Sequence, residues 1–241
     1  MRIALLSDIH GNLEALEHVL GDIRGQNVQR MVSLGDNIGY GPDSEAVVER
    51  LAALKIPSIL GNHELALNHP KFLNWFNPQA RRALEQNLDE VTDRTRQYCS
   101  GLPRSRIICG VRLVHGFPPH SPTLYSFQIR GQRMQAYFEN AGESIAFIGH
   151  THEPECIIWD GWNIKQEVLQ RGTIPLNPKC KYIINAGSVG QPRDGNNRAK
   201  YLIWDEARES LELRHVAYPV DVVIAKMAAK NYPAQYAERL R

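Results

Sequence analysis

Five short polar runs carry the side chains of this 241-residue chain that could do chemistry. They read Ser7-Asp8-Ile9-His10-Gly11-Asn12, Gly35-Asp36-Asn37, Gly61-Asn62-His63-Glu64, Val114-His115-Gly116 and Gly149-His150-Thr151-His152. Each follows a short apolar run of strand length. Together they offer Asp8, Asp36 and Asn62 with five histidines, His10, His63, His115, His150 and His152. Mixed imidazole and carboxylate ligation suits manganese, iron, zinc or cobalt and argues against an all-oxygen calcium cage. Asp8 and His10, two apart in extended backbone, project to one side and can grip one ion. Asp36 has two carboxylate oxygens and can bridge two ions, Asn62 adds a neutral amide oxygen, and His150 and His152 can diverge, one towards each ion. One histidine is then left over for acid catalysis. The inventory points to metal-assisted hydrolysis of a phosphate ester. Any one run is a weak signal, since a Gly-Asp pair usually marks a turn. The order and placement of all five carry the inference, and His18, His69, His120 and His215 lack such a context.

The elements that must position these residues show in the periodicity. Arg2 to Ser7 reads as a strand, and Asn12 is placed to cap a helix bearing Leu13, Leu16, Val19, Leu20 and Ile23 near a 3.6-residue period. Val28 to Leu34 reads as a second strand, and Ser44 as the cap of a helix with Val47, Val48, Leu51 and Leu54 on one face. Ile56 to Leu60 reads as a third strand. Such alternation implies right-handed crossovers, parallel pairing and a ligand site beyond the carboxyl ends of the strands. Asp8, Asp36 and Asn62 share that edge. Leu65 to about Ser100 is helical in pattern, with Asn77-Pro78 as cap and first-turn proline. We expect it to be an insertion or cap bordering the site. The second half is strand-rich: Arg106 to Cys109, Val111 to His115, Ser144 to Ile148, Cys156 to Val168 folded at Asp160-Gly161, Lys181 to Asn185, Lys200 to Asp205 and Ser210 to Val216. Asp221 to Lys230 reads as a closing helix, ended by Pro233.

Composition narrows the setting. A 43% hydrophobic content supports a sizeable core, and residues 1–241 are expected to form one domain with the helical cap at about 65–100. A net charge of +2 gives no global basic field for nucleic acid, and no apolar run reaches the ~20 residues of a membrane span. The chain enters a strand at once, without a signal peptide. Cys99, Cys109, Cys156 and Cys180 are widely spaced, which fits a reducing cytoplasm better than a disulfide framework or a zinc ribbon. The pattern specifies no oligomeric state.

Taken in order, the five runs resemble the calcineurin-like metallophosphoesterase superfamily, from Met1 to about Asp205. The segment Asn185-Ala186-Gly187-Ser188-Val189-Gly190-Gln191-Pro192-Arg193 is similar to small prokaryotic phosphoesterases related to diadenosine-tetraphosphate hydrolases. The resemblance implies a four-layer α/β/β/α sandwich of two mixed sheets flanked by helices. It implies a first ion held by Asp8, His10, Asp36 and His152, and a second by Asp36, Asn62, His115 and His150. His63 matches the proton donor that also touches the phosphate. The implied substrate is a small phosphate mono- or diester, such as a nucleotide or dinucleoside polyphosphate. Alternatives are a phosphodiesterase, a phosphoprotein phosphatase, or a non-catalytic scaffold like the retromer subunit of this fold; retention of His63 with all seven ligands favours an enzyme. One departure stands out. Protein phosphatases of the superfamily read Gly-Asp-x-x-Asp-Arg-Gly-Pro, whereas Gly39 and Tyr40 occupy the Asp-Arg positions here. The carboxylate that would orient His63 is missing, and so is a bidentate phosphate clamp. Tyr40 then becomes a base-stacking or wall residue, Arg193 a replacement clamp, and Asn12 a further candidate for substrate contact.

Overall fold

The computed structural model describes residues 1–241, apart from the side chain of Gln79. The first strand, β1 (Arg2–Leu6), is buried on both faces, which is why its sequence is continuously apolar rather than alternating. Asn12 caps α1 (Leu13–Ile23) as expected, its Oδ1 accepting the Ala15 N–H at 3.0 Å. β2 (Arg30–Ser33) pairs parallel to β1. The next helix, α2 (Ser44–Ala53), is capped at Asp43, not Ser44. Ser44 lies one position inside the helix, and its hydroxyl serves the site loop by accepting the Gly39 N–H and donating to Asn87.

The third strand expected over Ile56 to Leu60 does not form. Only a parallel bridge between Ser33 and Ser58 remains. Pro57 has no N–H to donate, and the Leu60 N–H turns away to Pro103 O, so the ladder stops after two bonds. The helical segment resolves into α3 (Asn62–Asn68), a 3₁₀ stretch over Pro70–Trp75, α4 (Pro78–Glu90) and α5 (Asp93–Ser100). Asn77 Oδ1 accepts the Ala80 N–H at 2.9 Å, as its place before Pro78 suggests.

The remaining strands are β3 (Ser105–Ile108), β4 (Val111–Val114), β5 (Ile145–Ile148), β6 (Pro154–Trp159), β7 (Ile164–Val168), β8 (Gly172–Pro175), β9 (Lys181–Ala186), β10 (Ala199–Asp205) and β11 (Ser210–Val216). α6 (Gln132–Asn140) precedes β5, and α7 (Val220–Ala229) and α8 (Ala234–Glu238) close the chain. Among the described residues one sheet runs β2-β1-β10-β11-β8 and the other β3-β4-β5-β9-β6-β7. Both are mixed. The purely parallel pairing that strand–helix alternation suggests is confined to β1–β2 in the first sheet, because β10 returns from the last third of the chain to lie antiparallel on β1. In the second sheet β4, β5 and β9 are parallel, and the hairpin β6–β7 extends it antiparallel.

Period-two alternation along each strand divides the core into layers. Ile3, Leu5, Leu202, Trp204, Leu211 and Leu213 meet Leu113, Phe147, Cys156 and Ile184 between the sheets. Ala4, Leu6, Tyr201 and Ile203 face the other way, against Leu16, Val19, Leu20 and Val47 of α1 and α2 and Val223 and Met227 of α7. On the far side, Val114, Ala146, Ile148 and Ile183 pack on Met134 and Phe138 of α6. The result is the expected four-layer sandwich. α6 and β8 escaped the sequence reading. α6 is polar apart from a buried i, i+4 pair, and β8 is a four-residue edge strand with alternate residues exposed. No helix among the described residues is long and apolar enough to cross a membrane.

Candidate metal centre

Beyond the carboxyl ends of β1, β2, β4 and β5 the chain turns sharply and delivers the polar runs to one place. Asp8, His10, Asp36, His150 and His152 all have positive φ, between 49° and 71°. This corrects the idea that strand alternation aims Asp8 and His10. β1 ends at Leu6, and left-handed backbone at Asp8 and again at His10, with Ile9 between them, breaks the extended run that alternation would need. Such conformations persist where the surroundings over-determine them, typically at functional sites. Here the clamp is the hydrogen bonding of Asp8 N to Gly35 O, His10 N to Asp36 O and Gly11 N to Asn37 O, at 2.8–3.1 Å. Glu64 completes it. Its fully buried carboxylate accepts N–H groups of Asp36, Asn37 and Gly61 and the Asn37 side-chain amide, at 2.6–3.0 Å. Burial and the nearby Asp36 push its pKa up to about 7, against these donors. Glu64 sat in plain view in the sequence without a role; its value lies in backbone donors that only the folded loops supply.

The ring nitrogens are sorted by backbone carbonyls. His10, His115 and His152 each place Nδ1 against one, on Ile38, Leu34 and Gln191 at 3.1, 2.8 and 2.6 Å. With Nδ1–H donated, Nε2 is the atom turned to the centre, and its lone pair is available to a metal whenever it carries no proton, the arrangement typical of metal-binding histidines. His150 does the reverse, giving Nε2 to Thr123 O at 3.1 Å and leaving Nδ1 for the site. Three groups of ligand atoms within 4.8 Å of one another result: Asp8, His10 and His152; His10, Asp36 and His63; and Asp36, His115 and His150. Asn62 Oδ1 joins the last at 3.2 Å from His115 Nε2.

Two features show that these residues fit divalent cations. His10 Nε2 and His152 Nε2 lie 3.0 Å apart although both Nδ1 atoms are engaged on carbonyls, so two lone pairs face each other. A cation relieves that repulsion. Asp8 Oδ2 is satisfied by Ser7 Oγ at 2.5 Å and His150 N at 3.1 Å, while Oδ1, fully buried, has no hydrogen-bond partner and points at His152 Nε2 from 3.2 Å. Asp36 stands at the centre. Its Oδ1 accepts the His63 N–H at 2.9 Å, and its Oδ2 lies 3.1, 3.8 and 3.9 Å from Nε2 of His115, His10 and His63.

Charge follows the geometry. Burial works against the carboxylates, but the surrounding imidazoles hold Asp8 and Asp36 well below the usual carboxylate range. Burial pushes His150 down to about 3 and His152 to about 4, leaving both neutral. His115 goes the other way: burial is overridden by Asp36 and Asp8, which push it up to about 10. In the ion-free chain a proton on His115 therefore stands in for a cation. Metal uptake at Asp36, His115 and His150 must displace it, so apparent affinity should strengthen as pH rises, by up to about tenfold per unit below the His115 pKa. Calorimetry in buffers of different ionisation heat reads the released proton; an affinity indifferent to pH would contradict this assignment.

His63 is 1% exposed, and no partner meets its Nδ1. The missing carboxylate is replaced by packing: the edges of His10, Tyr40 and Phe76 surround the ring at 4.7, 4.5 and 5.0 Å. Gly39 makes this possible. Its φ is +87°, and a β-carbon there would overlap His63 Nδ1. If His63 is the general acid, Gly39→Ala should displace the ring and lower kcat by on the order of 10²-fold, the lower end for such a loss, without changing the metal content. Elemental analysis beside kcat checks it.

The centre opens into a cleft of about 900 Å³. Asp36, Asn62, His63, His150 and His152, all buried or nearly so, line it, together with Phe72, Trp75 and Phe76 of the helical segment and Tyr125. Tyr125, which carried no sequence signal, stacks on His150 at 3.8 Å. Tyr40 lines the cleft but is 8% exposed; Tyr236 stacks on it at 4.9 Å, and Arg193 lies 5.9 Å over its ring. It is a wall and not a free platform for a base. Arg193 lies in the cleft as well. Asn12 does not: Oδ1 caps α1 and Nδ2 donates to Gly190 O at 2.9 Å, so both ends of the amide hold the scaffold.

A sandwich whose strand ends gather buried aspartates and histidines around sites for divalent ions, under an open cleft, defines a metal-dependent phosphoric ester hydrolase. Residues 1–209 match the model of the calcineurin-like phosphoesterase superfamily domain, and the chain belongs to that superfamily. An uncharacterized protein of Methanocaldococcus jannaschii is 34% identical over 242 residues, covering 99% of this chain and 96% of that one. The crystal structure of a metallophosphoesterase from Sphaerobacter thermophilus aligns with a TM-score of 0.85 and 35% identity, over 100% of this chain and 98% of that one. A hypothetical protein from Pyrococcus horikoshii shares the fold, with a TM-score of 0.78, 17% identity and coverage of 99% and 97%.

Proposed function

We propose that the chain, acting as one catalytic domain with residues 65–100 as its cap, hydrolyses a small phosphate ester with two divalent ions. Asp8, His10, Asp36 and His152 would hold one, and Asp36, Asn62, His115 and His150 the other. The observation that carries this reading is Asp36 Oδ2, which faces imidazoles of both sets from one position. Bound there, two transition-metal ions would neutralise phosphoryl oxygens and make a water molecule acidic enough to attack near neutral pH.

The protein's own part is positioning and proton transfer. His63 lines the cleft beside Asp36, where it can protonate the departing oxygen. Burial holds its pKa well below the ordinary histidine value, with Asp36 opposing. A proton on His63 therefore needs an anion close by, and the substrate phosphate is that anion.

For the rest of the substrate, an aromatic-lined cleft of this volume suits a nucleotide or dinucleoside polyphosphate. Trp75 is 69% exposed and lines the cleft, so it offers a free face for a base, as Tyr40 does not. Kinetics with manganese on a dinucleoside tetraphosphate, a phosphodiester and a phosphoserine peptide test this. Nucleotide esters should exceed the peptide at least tenfold in kcat/KM, about 1.4 kcal/mol of transition-state binding. A preference for the peptide would overturn the substrate class and leave the metal centre standing.

A further inference from the structure

The cleft has a charge asymmetry that the metal centre does not explain. Arg193, Arg239 and Arg241 line it, whereas Asp36, a metal-ligand candidate, is the one acidic side chain among its described lining residues. None of the three arginines takes part in an ion pair among the described residues. Asp194, next to Arg193, is engaged by the Lys200 ammonium at 2.6 Å, and Glu238, next to Arg239, forms no ion pair with any of the three. Arg193 reaches the neutral Gln191 Oε1 at 3.2 Å, and its buried Nε has no partner. Unpaired guanidiniums converging on one cleft are a receptor for an anion, because each offers a fixed fork of donors to phosphate oxygens.

Two of these arginines come from beyond residue 209, where the family match ends. The segment that carries them is anchored on both sides. Tyr236 is 2% exposed and stacks on Tyr40, and Leu240 is 3% exposed in the same core. Asn197 Nδ2 donates to Arg241 O at 3.2 Å, tying the segment to a loop that also lines the cleft. Arg239 and Arg241 themselves remain exposed between these anchors. Arg239 rests over the Tyr236 ring at 5.4 Å, which leaves its N–H fork unpaired, and a buried tether carrying such cationic tips is the layout of a preorganised binding edge.

We propose that Arg239 and Arg241, with Arg193, form a second anion subsite at the open end of the cleft, so that the preferred substrate carries a further phosphate beside the one hydrolysed. This rests on the phosphoesterase reading and sharpens it: among the nucleotide substrates proposed above it selects those with a second phosphate placed to reach Arg239 and Arg241, such as nucleoside di- and triphosphates, over monophosphates. Arg239 and Arg241 bind and select; they make no contact with the reacting phosphorus.

The test compares the manganese-loaded protein with an Arg239→Ala/Arg241→Ala variant on a nucleoside triphosphate and on p-nitrophenyl phosphate. The ratio of kcat/KM for the triphosphate to that for the aryl ester should fall about tenfold in the variant, mostly through KM. The Kd of a non-hydrolysable triphosphate should weaken by a similar factor, and the Arg239→Lys/Arg241→Lys variant should recover part of both. Raising the salt concentration should weaken triphosphate binding more in the wild type than in the alanine variant. An unchanged ratio, or equal losses on both esters, would overturn the subsite while hydrolysis itself upheld the phosphoesterase reading. A wild-type protein that hydrolysed neither ester would instead overturn that reading and the subsite with it.

Discussion

Asp36→Asn should cost more than any other single substitution, weakening both ions together and lowering kcat by on the order of 10³-fold or more. The expectation follows from position. Asp36 is shared between two of the three ligand groups, and its Oδ2 lies within 3.9 Å of Nε2 of His10, His63 and His115. An amide keeps the shape, and its oxygen can still accept the His63 N–H, so the fold should survive. It loses the charge and can turn an N–H towards His115, where an acceptor is needed. Charge stabilisation by metal is worth several kcal/mol, and each 1.36 kcal/mol is a factor of ten in rate. Elemental analysis and kcat on the same preparation decide the matter. Two tightly held ions with activity intact would remove Asp36 from the bridging role.

His63→Ala should separate proton transfer from metal binding. Both ions should remain, because Asp8, His10, Asp36, Asn62, His115, His150 and His152 are untouched, while kcat falls by ~10²–10⁴. The fall should shrink for an ester with a very good leaving group, which departs with less need of a proton. The pocket around His63 makes this a clean experiment: its Nδ1 has no partner to orphan, and its ring is held by aromatic edges. The Asp36 carboxylate keeps the backbone N–H of residue 63 and loses only the longer approach of the ring, with Nε2 3.9 Å from Oδ2. Equal losses on good and poor leaving groups would make His63 a phosphate-binding residue and not the acid.

The part of the centre legible in the sequence was the part carried by residue type and by order along the chain. Asp8, His10, Asp36, Asn62, His63, His115, His150 and His152 do come together: Asn62 and His63 open α3 after the single Ser33–Ser58 bridge, and the others follow strands whose apolar pattern fixes their sheet and layer. What could not be read depends on contacts between distant segments. The aim of Asp8 and His10 comes from left-handed backbone locked by Gly35, Asp36 and Asn37. Strand alternation gave the right pairing for the wrong reason. Position alone leaves Tyr40 open as a base-stacking or a wall residue, and it is the wall because Tyr236, far along the chain, covers it. Asn12 was read twice, as a cap and as a substrate contact, and only the cap is realised, since both its amide atoms are spent on the backbone. Arg239 and Arg241 lie past the last recognisable motif, just after a short helix, Ala234–Glu238, that has no signal of its own until Tyr236 packs on Tyr40. The same limit hid the broken edge at Pro57 and the antiparallel return of β10, both of which reflect pairing rather than propensity.

The most direct test of the two-ion centre is to strip the protein of metal and titrate manganese back, following bound ions and phosphate-ester hydrolysis in one experiment. The ligand sets predict two ions per chain, with activity appearing only as the second site fills. Full activity with one ion bound, or with none, would contradict it.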